Sequence, residues 1–192
     1  MASEGERLGQ EAARRLAATG RCPIAPGLTD IEFARVEERF GFEFADDHRA
    51  FLAAGLPSGP ASWPDWRDGD PAKLAEQLAW PVEGLLFDVE HNDFWERAWP
   101  ERPDRMADAL EIARQELARV PKMVPVYGHR YLPGGRGTFG HPVLSMYQAD
   151  IIYYGTDLAD YIEQELELPE RLHRSDPRWD PQATVPFWRE FL

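Results

Sequence analysis

The chain has 192 residues and carries 34 Asp+Glu against 21 Lys+Arg, a formal net charge of −13, with 43% hydrophobic and 12% aromatic residues. This is the composition of a folded chain, and a domain of this length buries roughly 70% of its unfolded surface without needing metals or disulfides. The excess of carboxylates repels phosphates and anionic lipid, which argues against nucleic-acid and membrane-surface binding and makes a basic protein the natural partner.

Residues 3–19 place Leu8, Ala12, Ala13 and Leu16 at helical spacing, and Pro23, Pro26 and Gly27 then break the pattern. A capping box, Thr29 with Glu32, opens a helix over 28–40 with Phe33, Val36 and Phe40 as its apolar stripe and Gly41 as its stop. A third helix is expected from Asp46 as N-cap, burying Phe51 and Leu52 and ending near Gly55. The stretch 56–102 is distinct: it holds five of the seven tryptophans (Trp63, Trp66, Trp80, Trp95, Trp99) among several prolines. Within it, Asp70-Pro71 opens a short helix through Leu78, and the apolar run 84–89 reads as a buried strand. Residues 103–120 carry Met106, Ala109, Leu110, Ala113, Leu117 and Val120 on one helical face.

Strands follow at 123–127, 143–147 and 151–154. Pro125 suits a sheet edge, Gln148-Ala149-Asp150 makes a tight turn between the last two strands, and 134–140 is a mobile, glycine-rich connection. Thr156 or Asp157 caps a last helix with Leu158, Tyr161, Ile162 and Leu166 inward, and the aromatics of 186–192 are positioned to dock on the body. Helices followed by a small, mostly antiparallel sheet with helices packed around it make an α+β fold.

Catalytic and ligand signals are weak. Cys22 is the single cysteine, so no intramolecular disulfide and no cysteine zinc cluster is available. The N-terminus lacks a basic segment leading into an apolar one, and no window approaches the roughly 18 apolar residues of a membrane span, so a cytoplasmic protein is expected. The glycine-rich stretch lacks the Lys-Ser/Thr of a phosphate loop, and 88–93 has Asp93 where a calcium loop needs glycine. His129 and His141, at facing ends of a hairpin with Asp150 nearby, form the one conceivable two-His-one-carboxylate set. No serine sits in Gly-x-Ser-x-Gly, so neither a catalytic constellation nor a cofactor is expected.

Charge and aromatics point to recognition instead. Residues 122–149 hold three basic side chains (Lys122, Arg130, Arg136) and no acid, whereas 150–170 hold seven acids and no Lys or Arg. Tryptophan and arginine anchor interfaces, and carboxylates steer a basic partner. The interaction surface expected on these grounds comprises Trp63, Trp66, Arg67, Asp88, Glu90, Trp95, Asp150, Asp157 and Asp160. The competing account is that most of these rings cover the core and that the charge runs are solvated faces.

Leu28-Thr-x-x-Glu32 through Glu37-x-x-Phe40-Gly41, then Asp46-Asp-His-Arg49-Ala-Phe51-Leu52, resembles the opening helices of the SUKH superfamily. That family includes fungal cell-wall-assembly regulators and many bacterial immunity proteins. The segments 121–131 and 142–147, and Asp150…Tyr154-Gly155…Leu158…Tyr161, resemble its sheet and closing helix. The resemblance spans 28–168, leaving 1–27 as an N-terminal helix and Pro/Gly linker and 169–192 as a tail. It departs at Ala45, at Ala54-Gly55 and through the Trp/Pro-rich middle, 56–120. It implies a non-enzymatic protein-binding domain, in bacterial members one that neutralises a cognate toxin, often a basic nuclease. A regulatory scaffold with several partners, as in the fungal relatives, and a metal-dependent hydrolase on His129, His141 and Asp150 are the rival readings.

Overall fold

The computed structural model describes residues 2–59, 62–167 and 185–192. The elements are α1 (Glu4–Thr19), β1 (Ile24–Ala25), α2 (Asp30–Phe40), α3 (Asp46–Ala54), β2 (Leu56–Pro57), α4 (Pro71–His91) and α5 (Met106–Leu117). Then come β3 (Met123–Tyr127), β4 (Arg130–Pro133), β5 (Val143–Tyr147), β6 (Asp150–Gly155), α6 (Leu158–Glu167) and a closing 3-10 turn (Trp188–Phe191). The fold is α+β.

Local hydrogen bonds set the helix starts. Ser3 with Glu6 and Thr29 with Glu32 form complete capping boxes on α1 and α2, and Gly41 ends α2 in the left-handed region at φ 64°. α3 corrects one expectation: its N-cap is Ala45, which has no side chain to cap with, and Asp46 lies inside the first turn. The Asp46 carboxylate turns away to accept the Gly137 N–H at 2.9 Å.

The largest correction concerns 84–89, which is not a strand but the second half of α4, a 21-residue helix. A short apolar run fits either element, and only the full series Leu74, Leu78, Leu85, Leu86, Val89 shows the helical period. Pro81 lies inside this helix and has no N–H for the Gln77 carbonyl. The Tyr131 hydroxyl donates to that carbonyl instead, at 2.9 Å.

The main sheet runs β3-β4-β5-β6, antiparallel throughout, with the proline-bearing β3 at its edge. β4 is an unexpected strand inside the connection between β3 and β5. The β5–β6 turn is one residue shorter than expected: Tyr147 pairs with Asp150, and Gln148 adopts φ 55°. Alternate residues feed two cores. Val124, Val126, Leu132 and Val143 join Ala12, Phe33, Phe51 and Tyr161 on one face. Met123, Tyr131, Leu144 and Met146 join Leu85, Val89, Leu117 and Trp188 on the other.

The glycine-rich connection is tied to the rest of the chain by hydrogen bonds. Its backbone N–H groups serve acceptors of the chain itself: Gly135 to the Glu43 carbonyl at 2.8 Å and Gly140 to Asp47 Oδ2 at 2.9 Å. Trp188 docks as expected of the closing aromatics, its buried indole donating to the Pro121 carbonyl at 2.9 Å. The inward side chain expected of Leu166 and the junction between 168 and 169 lie outside the described residues.

Candidate protein-interaction surface

With α4 continuous, Glu76, Trp80, Glu83, Phe87 and Glu90 recur every three or four residues on the face opposite its buried leucines. Trp80 is 46% exposed and Phe87 45%. The β5–β6 hairpin adds Tyr147, 56% exposed, with its ring centroid 6.1 Å from that of Trp80. Phe87 in turn stacks on His91 at 4.2 Å.

Two residues seat the hairpin against the helix. Gly84 allows close approach, since a Cβ there would stand 3.0 Å from Gln148 Cα. Asp88 accepts the Ala149 N–H at 2.7 Å and the Asn92 amide at 2.5 Å. At 4% exposure Asp88 is a structural tie and not the surface acid expected of it. Beside Trp80 lies a groove of about 580 Å³ between the 62–70 loop, the first turns of α4 and the β3–β4 turn. Trp63, Pro64, Lys73, Glu76, Trp80 and His129 are among its lining residues.

The surface brings together Trp63, Glu90 and Asp150 of the expected set, the last two exposed and the first half-buried in the groove wall. Trp66 is withdrawn from it. At 2% exposure it sits among Phe40, Phe42 and Phe44, with centroids 6.3, 5.8 and 5.3 Å away. Arg67 is an internal strut: it bonds Glu32 at 2.5 Å and the carbonyls of Pro26 and Gly27 at 3.0 and 2.9 Å. The Arg67 hydrogen bond, with those from Thr29, holds the Glu32 carboxyl down at about 2.

Trp95 belongs to a separate cluster, edge-on to Trp99 at 5.1 Å and bonded to the Pro100 carbonyl at 2.9 Å. Asp157 caps α6 by accepting the Asp160 N–H at 2.8 Å, while Asp160 accepts from Thr156 and Gln164. Both are half-buried and engaged in starting the helix. The locally basic stretch is engaged internally too. Lys122 bonds the Phe40 carbonyl, Arg130 bonds Ser145 and lies over Tyr154, and Arg136 pairs with Glu37 and Glu43.

Trp80, Phe87 and Tyr147 are absent from the expected set. The signal that locates the first two is their seven-residue spacing, visible once 71–91 is read as a single helix. The histidine set does not assemble. The His129 carbonyl accepts the Met146 N–H at the far end of β5, while His141 precedes that strand, roughly 16 Å away along it. Among the described residues no group of three His, Cys, Asp or Glu side chains is arranged to hold a metal ion, and no helix is long and apolar enough to cross a membrane. Comparison of the chain with family models, with curated proteins and with solved structures finds no match.

Proposed function

We propose that the chain is a protein-binding domain that neutralises a basic toxin by covering part of it with the α4–hairpin face. The observation that carries this reading is the trio Trp80, Phe87 and Tyr147, held out to solvent on one face and rimmed by Glu76, Glu83, Glu90 and Asp150. Large exposed rings sharing a face are characteristic of interface anchors, because they bring area at low entropic cost once a partner excludes water. The carboxylates around them speed the approach of a basic protein. The resemblance of the opening helices and of the β6–α6 stretch to SUKH sequences supplies the role of toxin neutralisation.

Co-expression with the products of adjacent genes tests the proposal. One of them is expected to be toxic alone and harmless with this chain, and to form a complex that weakens with salt and with Trp80→Ala. Absence of both protection and association refutes it. Capture of several unrelated proteins without protection is the outcome of a regulatory scaffold.

A further inference from the structure

We propose that the groove beside Trp80 receives an arginine side chain of the protein partner, an inference that rests on the protein-binding reading above. The groove measures about 580 Å³, inside the range of roughly 300–1,000 Å³ typical of ligand pockets and ample for one side chain. Two indoles, Trp63 and Trp80, contribute to its walls, and three carboxylates, Asp65, Asp70 and Glu76, line it against one ammonium, Lys73. Partial burial and the neighbouring Arg130 both lower the pKa of His129, which disfavours a second positive charge there.

The carboxylates retain acceptor capacity. Asp65 Oδ1 accepts the N–H groups of Arg67 and Asp68, and Asp70 Oδ1 caps α4 through Ala72, which leaves the second oxygen of each. Glu76, exposed on the next turn of α4, has no hydrogen-bond or ion-pair partner among the described residues.

Indole walls with carboxylates suit a guanidinium better than the alternatives. Its flat, weakly hydrated faces stack on indole while its edge donates to carboxylate oxygens, whereas an ammonium is a strongly hydrated point charge. An acidic segment meets the groove's excess of carboxylates, and a purely apolar one covers them without a hydrogen bond. The groove also adjoins the exposed trio through Trp80, so an arginine seated there lies at the edge of the surface that the partner covers.

The test is titration of the purified chain with hexa-arginine, hexa-lysine and hexa-glutamate, following the seven indole N–H resonances by NMR. Hexa-arginine is expected to move the Trp63 and Trp80 resonances and to leave buried Trp66 and Trp188 unmoved. Trp80→Ala and Glu76→Gln should each weaken its binding by about 2- to 5-fold, and Glu111→Gln, at an exposed acid outside the groove, should not. Equal effects of all three substitutions, or shifts confined to other tryptophans, overturn the groove as the site. Hexa-lysine binding as tightly as hexa-arginine overturns the assignment to guanidinium. No toxin is present in this titration, so failure of the protection assay leaves its result standing, and the reverse holds as well.

Discussion

Replacing Tyr131 with phenylalanine tests whether Pro81 is tolerated in α4 because the sheet supplies the hydrogen bond that the helix lacks. Residue 81 has no N–H for the Gln77 carbonyl, and the hydroxyl of the buried Tyr131 ring takes that place at 2.9 Å. Removing the hydroxyl leaves the carbonyl unpaired, and a buried unsatisfied acceptor costs about 1–3 kcal/mol. Gln77 is only half-buried, so the lower part of that range applies. The expected loss is about 1–2 kcal/mol, or a fall in Tm of roughly 2–8 °C for a chain of this size. Pro81→Ala restores an N–H to the helix at the position where Gln77 needs it. In that background Tyr131→Phe should cost under about 0.5 kcal/mol, giving a coupling that stands clear of the additivity error. Urea denaturation of the four proteins, followed by far-UV circular dichroism, measures the cycle. Equal losses in both backgrounds refute the reasoning, because the hydroxyl would then act independently of the proline.

Neighbouring buried groups should make stability respond to acid in opposite senses. Burial holds His48 down at about 3 against an ordinary 6.5, so the unfolded chain takes this proton first and stability is lost as pH falls from 6.5 toward 3. Burial pushes Asp47 up to about 6 against an ordinary 3.8, so the native state takes that proton first and stability is gained as pH falls through 6, fully so below 3.8. His48→Leu should therefore lose less of its urea midpoint than the parent between about pH 7.5 and about pH 4.5; a variant as acid-labile as the parent contradicts this. Arg67→Ala should let the Glu32 carboxyl rise from about 2 toward its ordinary 4.5 in an NMR titration, while partner binding stays unchanged. A carboxyl that remains near its low value would show that Thr29, and not Arg67, is the dominant cause.

Features governed by short-range hydrogen bonds were legible in the sequence. The capping box Thr29–Glu32 and the left-handed stop at Gly41 each involve groups within a few residues of one another, and Pro125 marks the sheet edge through its own missing N–H. These signals, with the amphipathic stripes between them, were sufficient for the α+β class. Tertiary structure alone decided the rest. Residues 84–89 are apolar enough for a strand or a helix, and what resolves them is the buried stripe running back to Leu74 and the Tyr131 hydroxyl arriving from β4. The candidate surface depends still more on distant chain. Trp66 is hidden because Phe42 and Phe44 pack on it, Arg67 is taken up by Glu32 from 35 residues away, and Trp80 stays half exposed beside the ring of Tyr147. A side chain's type and local spacing determine which bonds and contacts it can make. Whether it is buried, paired or left facing solvent depends on which remote residues the fold brings against it.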